Sequence, residues 1–136
     1  MTNMTPEADY DSPWKEALEQ YLPHCLALFL PQVHTDIDWA QGFTFLETQL
    51  RQITPAAAVG RRVVDKLVQV RRLDGDEARV LIHIEVQNQE ERDFARRMYG
   101  YHSRLLDHSG QPVASVAILG DERPTWRPGA FRQALW

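Results

Sequence analysis

The chain has a single cysteine, Cys25, and no apolar run near the roughly 20 residues needed to cross a membrane. One thiol excludes an internal disulfide framework and any cysteine-cluster zinc site. The opening stretch MTNMTPEADYDSPW is acidic and polar, unlike a secretory signal or a transit peptide, so a cytoplasmic protein is expected. Basic charge is scarce at the front: residues 1–50 hold one basic side chain, Lys15, against eight acidic ones. Residues 51–136 hold 14 Arg or Lys against 11 Asp or Glu, although the whole chain carries −4. A mildly basic, arginine-rich C-terminal two thirds points to an anionic partner, with a mixed solvated surface as the plainer alternative. There is no internal repeat and no low-complexity segment, and 136 residues suit one domain.

Local patterns divide the chain into elements. Residues 1–11 read as a flexible N-terminus and 12–136 as a single domain. Ser12 followed by Pro13 is a helix start, with an oxygen to cap and a proline at the first helical position. Trp14, Leu18, Tyr21, Cys25 and Leu28 follow at helical spacing, and Pro23 predicts a kink or a second helix there. Residues 31–42 read as a loop. Phe43 to Ile53 reads as a short helix carrying Phe45, Leu46, Leu50 and Ile53, followed by a small-residue connector, TPAAAVG. Residues 61–72 and 79–87 are β-branched runs flanking a turn-like LDGDEA, which together predict a hairpin. A helix bearing Phe94, Met98, Tyr101 and Leu105 comes next, with Gly110 just past its end. PVASVAILG then reads as a buried strand, and an irregular tail closes the chain.

The second hairpin strand, within VLIHIEVQNQ, has an unusual flank. Val80, Ile82, Ile84 and Val86 alternate with Leu81, His83, Glu85 and Gln87, so a carboxylate and a carboxamide share the face opposite the core. If the hairpin folds symmetrically about Gly75, Asp65 lies directly across from Glu85, and a one-residue slip would destroy that convergence. Val64, Val68 and Val70 then join the even-numbered residues of the second strand on the core side. Two carboxylates a few ångström apart resist joint ionisation unless a cation lies between them, and Mg²⁺ is the usual ion for an all-oxygen site. A general acid/base pair acting on a glycosidic bond uses the same residue types. A neighbouring helix carrying Arg92, Arg96, Arg97 and Arg104 suits phosphate better than sugar, with intrahelical pairing as the plainer use of those arginines.

The segments VDKLVQV, IHIEVQ and FARRMYGYHSRLLD, in a hairpin–helix–strand order, resemble the recombination-promoting nuclease and transposase-like proteins of the PD-(D/E)XK nuclease superfamily. The resemblance extends over nearly the whole chain. It implies an α/β fold with a restriction-endonuclease-like core, a central mixed sheet whose β-hairpin is flanked by helices. It also implies a Mg²⁺-dependent DNA endonuclease, with Mn²⁺ as a substitute ion. Asp65 and Glu85 would be the metal-binding carboxylates, the Val86 carbonyl would complete the protein's share of the site, and Gln87 would orient the attacking water. Gln87 stands where the superfamily usually has lysine; an amide can hold a water but brings no charge to acidify it. Arg97 and Tyr101 match positions used near the scissile phosphate or to brace the acids, and Arg96 joins them as a DNA contact. The implied partner is DNA, with a homodimer allowed and no membrane.

Gln87 and a missing acid favour an alternative, a degenerate nuclease fold that binds DNA without cutting it, and the acidic N-terminal third with the net charge of −4 favours a protein-interaction module. The position where relatives commonly carry an acid in the helix before the hairpin falls on Gln49, with Glu47 two residues earlier. Relatives also run longer, so a chain truncated at its C-terminus is expected. His83 is read as a supporting residue. His34, Asp36 and Asp38 resemble a metal cluster on paper, and capping acids of a loop are the preferred reading.

Overall fold

The computed structural model describes residues 11–53, 64–73, 79–87, 90–120, 125–128 and 132–134, with Asp11, Ser12, Val64 and Asp65 described by backbone alone. The N-terminal residues 1–10, the connector after Ile53, the turn around Gly75 and the side chain of Ser12 lie outside the described residues. In chain order the elements are α1 (Asp11–Phe29), α2 (Pro31–Asp36), a 3₁₀ turn (Trp39–Gln41), β1 (Thr44–Phe45), α3 (Glu47–Ile53), β2 (Val64–Arg71), β3 (Arg79–Gln87), α4 (Phe94–Ser109) and β4 (Val113–Leu119). The strands form one mixed sheet in the order β1-β2-β3-β4. β1 and β2 pair antiparallel, as do β2 and β3, and β4 runs parallel to β3. Among the described residues, no helix is long and apolar enough to cross a membrane.

α1 breaks where the proline predicts. Pro23 lacks an N–H and its ring crowds the preceding turn, and Tyr21 leaves helical geometry with φ −127° and ψ 29°. The buried stripe is Leu18, Leu22 and Leu26, four residues apart, whereas Tyr21 and Leu28 are exposed and Trp14 and Cys25 only half-buried. Leu18 belongs to both the expected and the buried stripe, but the face packed on the sheet is turned toward Leu22 and Leu26, which continue the stripe at unbroken four-residue spacing across the kink. Residues 31–42 are not a plain loop either. Pro31 sits in the first turn of α2, where its fixed φ seeds a helix too short to show a period. Likewise, the front of the expected helix at Phe43–Ile53 is the two-residue strand β1, paired through Thr44 and Phe45 with Gln69 and Val68.

Both faces of the sheet are covered. On one, Val68, Val70, Ile82, Ile84 and Val86 pack with Leu18, Leu22 and Leu26 of α1 and with Ile37. On the other, Leu67 and Leu81 pack with Leu50 of α3 and Leu105 of α4. Every residue of β3 from 81 to 87 is buried, so the flank bearing His83, Glu85 and Gln87 is an interior surface and not a solvated one. α4 closes with Gly110 at φ 64°, a left-handed conformation that glycine adopts without steric cost, as the sequence predicts. β4 is less buried than expected: Ala114, Ser115 and Ala117 are exposed. An apolar run does not by itself distinguish a central strand from an edge strand of small residues.

Two polar side chains lie deep in this framework. Lys66 occupies a core-facing position between Val64 and Val68 and is 1% exposed. Its Nζ donates to Glu19 Oε1 of α1 at 2.5 Å and to Glu47 of α3, and it lies 5.3 Å from the centre of the Phe45 ring. The hydrogen bond to Lys66 holds the Glu47 carboxyl below its usual pKa. A charge so buried is stable only while paired. His83 is fully buried on the opposite face, its ring edge-on to Tyr101 at 5.6 Å, with neither nitrogen hydrogen-bonded among the described residues. Burial, helped by the charge of His102, lowers its pKa from 6.5 to about 4.

Removing both partners of Lys66 (Glu19→Ala with Glu47→Ala) should cost about 3 kcal/mol in urea unfolding, because an ammonium is left uncompensated, whereas Lys66→Met should be near neutral. A large loss in Lys66→Met with little in the double variant would contradict this. For His83, the unfolded chain takes up a proton near the ordinary histidine pKa of 6.5 while the folded protein resists until about 4. Stability is thus present above that range and lost as pH falls through it, by about 2 kcal/mol between pH 7 and pH 5. His83→Phe should remove most of that slope in urea midpoints taken at the two pH values; an undiminished slope would count against it.

Candidate functional site

The hairpin builds the site from its register. Asp65 pairs directly with Glu85, as symmetric folding about Gly75 requires, and the same ladder sets Val64 against Val86 and Val70 against Val80. Directly paired positions share one face of an antiparallel sheet, and Gln87 joins that face two residues beyond Glu85. β-branched residues on both strands favour this extended pairing. Glu85 lies on the central strand β3, next to β4, and has no exposed surface.

α4 supplies what a carboxylate needs in that position. Phe94, Tyr101 and Leu105 are buried along one side of the helix and fix it against the sheet. Arg97, one turn after Phe94, points inward between them. Its Nη2 donates to Glu85 Oε1 at 2.6 Å and its Nε to the same oxygen at 3.1 Å. Nη2 also donates to Gln87 Oε1 at 3.0 Å, and Nη1 donates to Glu91 Oε2. Gln87 in turn donates from Nε2 to Glu91 Oε2 at 3.3 Å, which closes a ring of three side chains, Arg97, Gln87 and Glu91, with Glu85 attached through Arg97. Burial works against the guanidinium's charge, but its hydrogen bond to Glu91 and the charge and hydrogen bonds of Glu85 outweigh it, and its pKa rises above the ordinary arginine value. Arg97 also lies 5.3 Å from the centre of the Phe94 ring.

The ring explains why glutamine suits position 87. Its amide accepts from Arg97 and donates to Glu91, whereas a lysine has only donors and would set a second positive charge against the guanidinium. Glu91 was not foreseen as part of the site. The signal for it was an arginine on the buried side of a helix, which calls for nearby acids. Glu91 lies six residues before that arginine.

The other candidate residues sort by burial. Val86 is buried in β3, opposite Val64. Tyr101 is buried against His83, and His83 contributes packing at the margin of the site. Arg96 and Arg104 are exposed on α4, and Arg92 is exposed in the turn just before it. Of the two roles that the resemblance allows Arg97, the structure displays bracing of the acid. Glu47, the α3 acid nearest the family position at Gln49, is committed to Lys66. Asp36 pairs with Arg72 at 2.8 Å and His34 lies against Trp39, so the segment 34–38 serves local packing. Among the described residues, no group of three His, Cys, Asp or Glu side chains could hold a metal ion.

Carboxylate oxygens at paired strand positions, with carbonyls beside them, are the donor type that Mg²⁺ takes. Of these two acids only the Glu85 side chain is described, and Arg97 holds its Oε1. The geometry can therefore serve in two ways: as a structural ion pair, or as a cation site whose first occupant is the protein's own guanidinium. Comparison of the chain with family models, with curated proteins and with solved structures returned no match.

Proposed function

We propose that this protein is a Mg²⁺-dependent DNA endonuclease of the recombination-promoting nuclease and transposase-like type, with a restriction-endonuclease-like core. The observation that carries the reading is the Asp65–Glu85 register with Gln87 on the same face. The hairpin, the helix after it and the parallel β4 agree with the element order that the resemblance implies. In this reading Asp65, Glu85 and the Val86 carbonyl would hold the ion. When bound, Mg²⁺ would lower the pKa of water and stabilise charge on the phosphate. Gln87 uses its amide to hold the attacking water in line with phosphorus. The water's oxygen bonds to phosphorus, the P–O3′ bond breaks, and the leaving oxygen takes up a proton.

The exposed guanidinium of Arg96, with Arg92 in the turn just before α4, offers contacts to DNA phosphates near the site. A cytoplasmic location accompanies this reading. A second reading, a nuclease fold that binds DNA without cutting it, is favoured by one observation: Glu85 is wholly buried and already neutralised by Arg97.

Supercoiled plasmid incubated with Mg²⁺ should be nicked by the wild-type chain, and Asp65→Asn or Glu85→Ala should lower the rate at least ~100-fold, as loss of an essential ion does. Equal nicking by the wild type and Glu85→Ala would remove the assignment. DNA binding without nicking in the wild type would select the second reading.

A further inference from the structure

The two edges of the sheet differ. β1 is two residues long, too short to hold another chain, whereas β4 runs for seven residues, VASVAIL, without a charge or a proline. Among the described residues β4 has a hydrogen-bonding neighbour on one side only, β3, and the ladder between them contains no bulge. Sheets commonly blunt such an edge with lysine, proline or a bulge, because its outward N–H and C=O groups otherwise recruit a further strand. β4 has none of these, and Ala114, Ser115 and Ala117 are exposed.

The helix above this edge carries an apolar flank on the same side. His102 Nδ1 lies 2.9 Å from Ser115 Oγ, so the His102 flank of α4 faces β4. The opposite flank faces α3, where Arg104 Nη1 donates to Ile53 O at 3.5 Å. Tyr99 and Leu106, three residues before His102 and four after it, share its flank. Both are large apolar side chains left exposed, directly beside the edge of the sheet.

We infer that the β4 edge is the interface with a second copy of this chain, the two β4 strands pairing antiparallel about a twofold axis through Ser115, so that two four-stranded sheets become one of eight strands. Three observations select a second copy over an unlike partner. An uncharged strand meets itself without the like-charge repulsion that disfavours most self-pairing. About Ser115 the strand is self-complementary in size: Val113 meets Ala117 of the second copy, Ala114 meets its Val116, and Ser115 meets its Ser115, all small enough for the usual strand spacing of about 4.8 Å. Because His102 lies at Ser115, the same axis passes beside the middle of α4 and sets the two helices side by side and antiparallel. Tyr99 then covers Leu106 of the second copy. The basic end of each helix, with Arg96 exposed, lies beside the other's C-terminal end, where Asp107 is exposed and the helix dipole is negative. A strand edge about 23 Å long, with one helix layer above it, buries on the order of 1,000 Å² in total, close to the least that a specific interface needs. The association is therefore reversible and in the micromolar range. It is independent of the nuclease reading.

Sedimentation velocity over a concentration series of the full chain should show monomer and dimer in exchange, with a Kd of roughly 10 µM. Ala117→Lys puts on the edge the charge that other sheets use to blunt it, and should weaken the dimer at least about tenfold. A cross-linking pair reads the register and does not depend on how that variant folds. With Cys25→Ser as background, Ser115→Cys should form a disulfide-linked dimer under mild oxidation, since residue 115 meets itself at the axis. Ala117→Cys should not, since residue 117 meets Val113 of the second copy and lies too far from its own twin for a disulfide. The interface is overturned by a wild type that stays monomeric at every concentration, by a dimer that Ala117→Lys leaves intact, or by cross-linking through residue 117 and not 115.

Discussion

A carboxylate with no contact to water, in the middle of a sheet, is unstable unless a cation lies beside it. Glu85 is in that position, and Arg97 of α4 is the cation. Much else in this half of the molecule follows from the pair. α4 must cross β3 at the height that brings its second turn over Glu85, and Phe94 and Tyr101 on either side of Arg97 hold it there. The polar flank of β3 can then be interior, which lets the sheet carry helices on both faces. Taking away Arg97 would strip the buried Glu85 of its guanidinium, a far larger cost than breaking a surface pair, whereas taking away Glu85 would leave Arg97 on Glu91.

The opposite face of the same hairpin repeats the device with the signs reversed. Lys66 enters the apolar layer beneath α1, and Glu19 and Glu47 come to it from two different helices. Residues 65 and 66 are neighbours in the chain but face opposite sides of the sheet, so β2 brings an acidic position to one layer and an ammonium to the other. Each buried charge ties β2 or β3 to helices distant in sequence, and apolar contacts alone would specify those orientations less sharply. The ring around Arg97 differs from the Lys66 cluster in one respect that bears on chemistry. It lies on the face where Asp65 and Glu85 are paired, and its cation occupies Glu85 Oε1.

Much of this was legible in the residues, and the failures have definite causes. The hairpin register could be read because the turn residues and the alternation of two long runs are strong local signals, and a slip would have put valines on the wrong face. The helix carrying Phe94, Tyr101 and Leu105 and its glycine stop were equally plain. The two-residue β1 and six-residue α2 were not, since neither is long enough to show a period. The stripe of α1 was misjudged beyond Leu18 because Tyr21 and Leu28 lie at a helical spacing as good as that of Leu22 and Leu26, and only packing on the sheet chooses between them. A lysine at a core-facing position such as Lys66 is itself a signal that acids must meet it, one that the alternation of valines around it obscures.

By itself the sequence determined which residues would pair across the hairpin, and hence that Asp65, Glu85 and Gln87 would share a face, because strand parity and turn symmetry are local properties of the chain. Only the tertiary structure decided what would cover that face. Whether Glu85 meets water, a metal ion or an arginine depends on where α4 lands, and that is set by the summed packing of Phe94, Tyr101 and Leu105 on distant strands. The burial of β3 on both sides, the withdrawal of Arg97 from solvent and the commitment of Glu47 to Lys66 are of the same kind: each joins residues from separate elements through long-range packing, which local alternation and charge patterns do not encode.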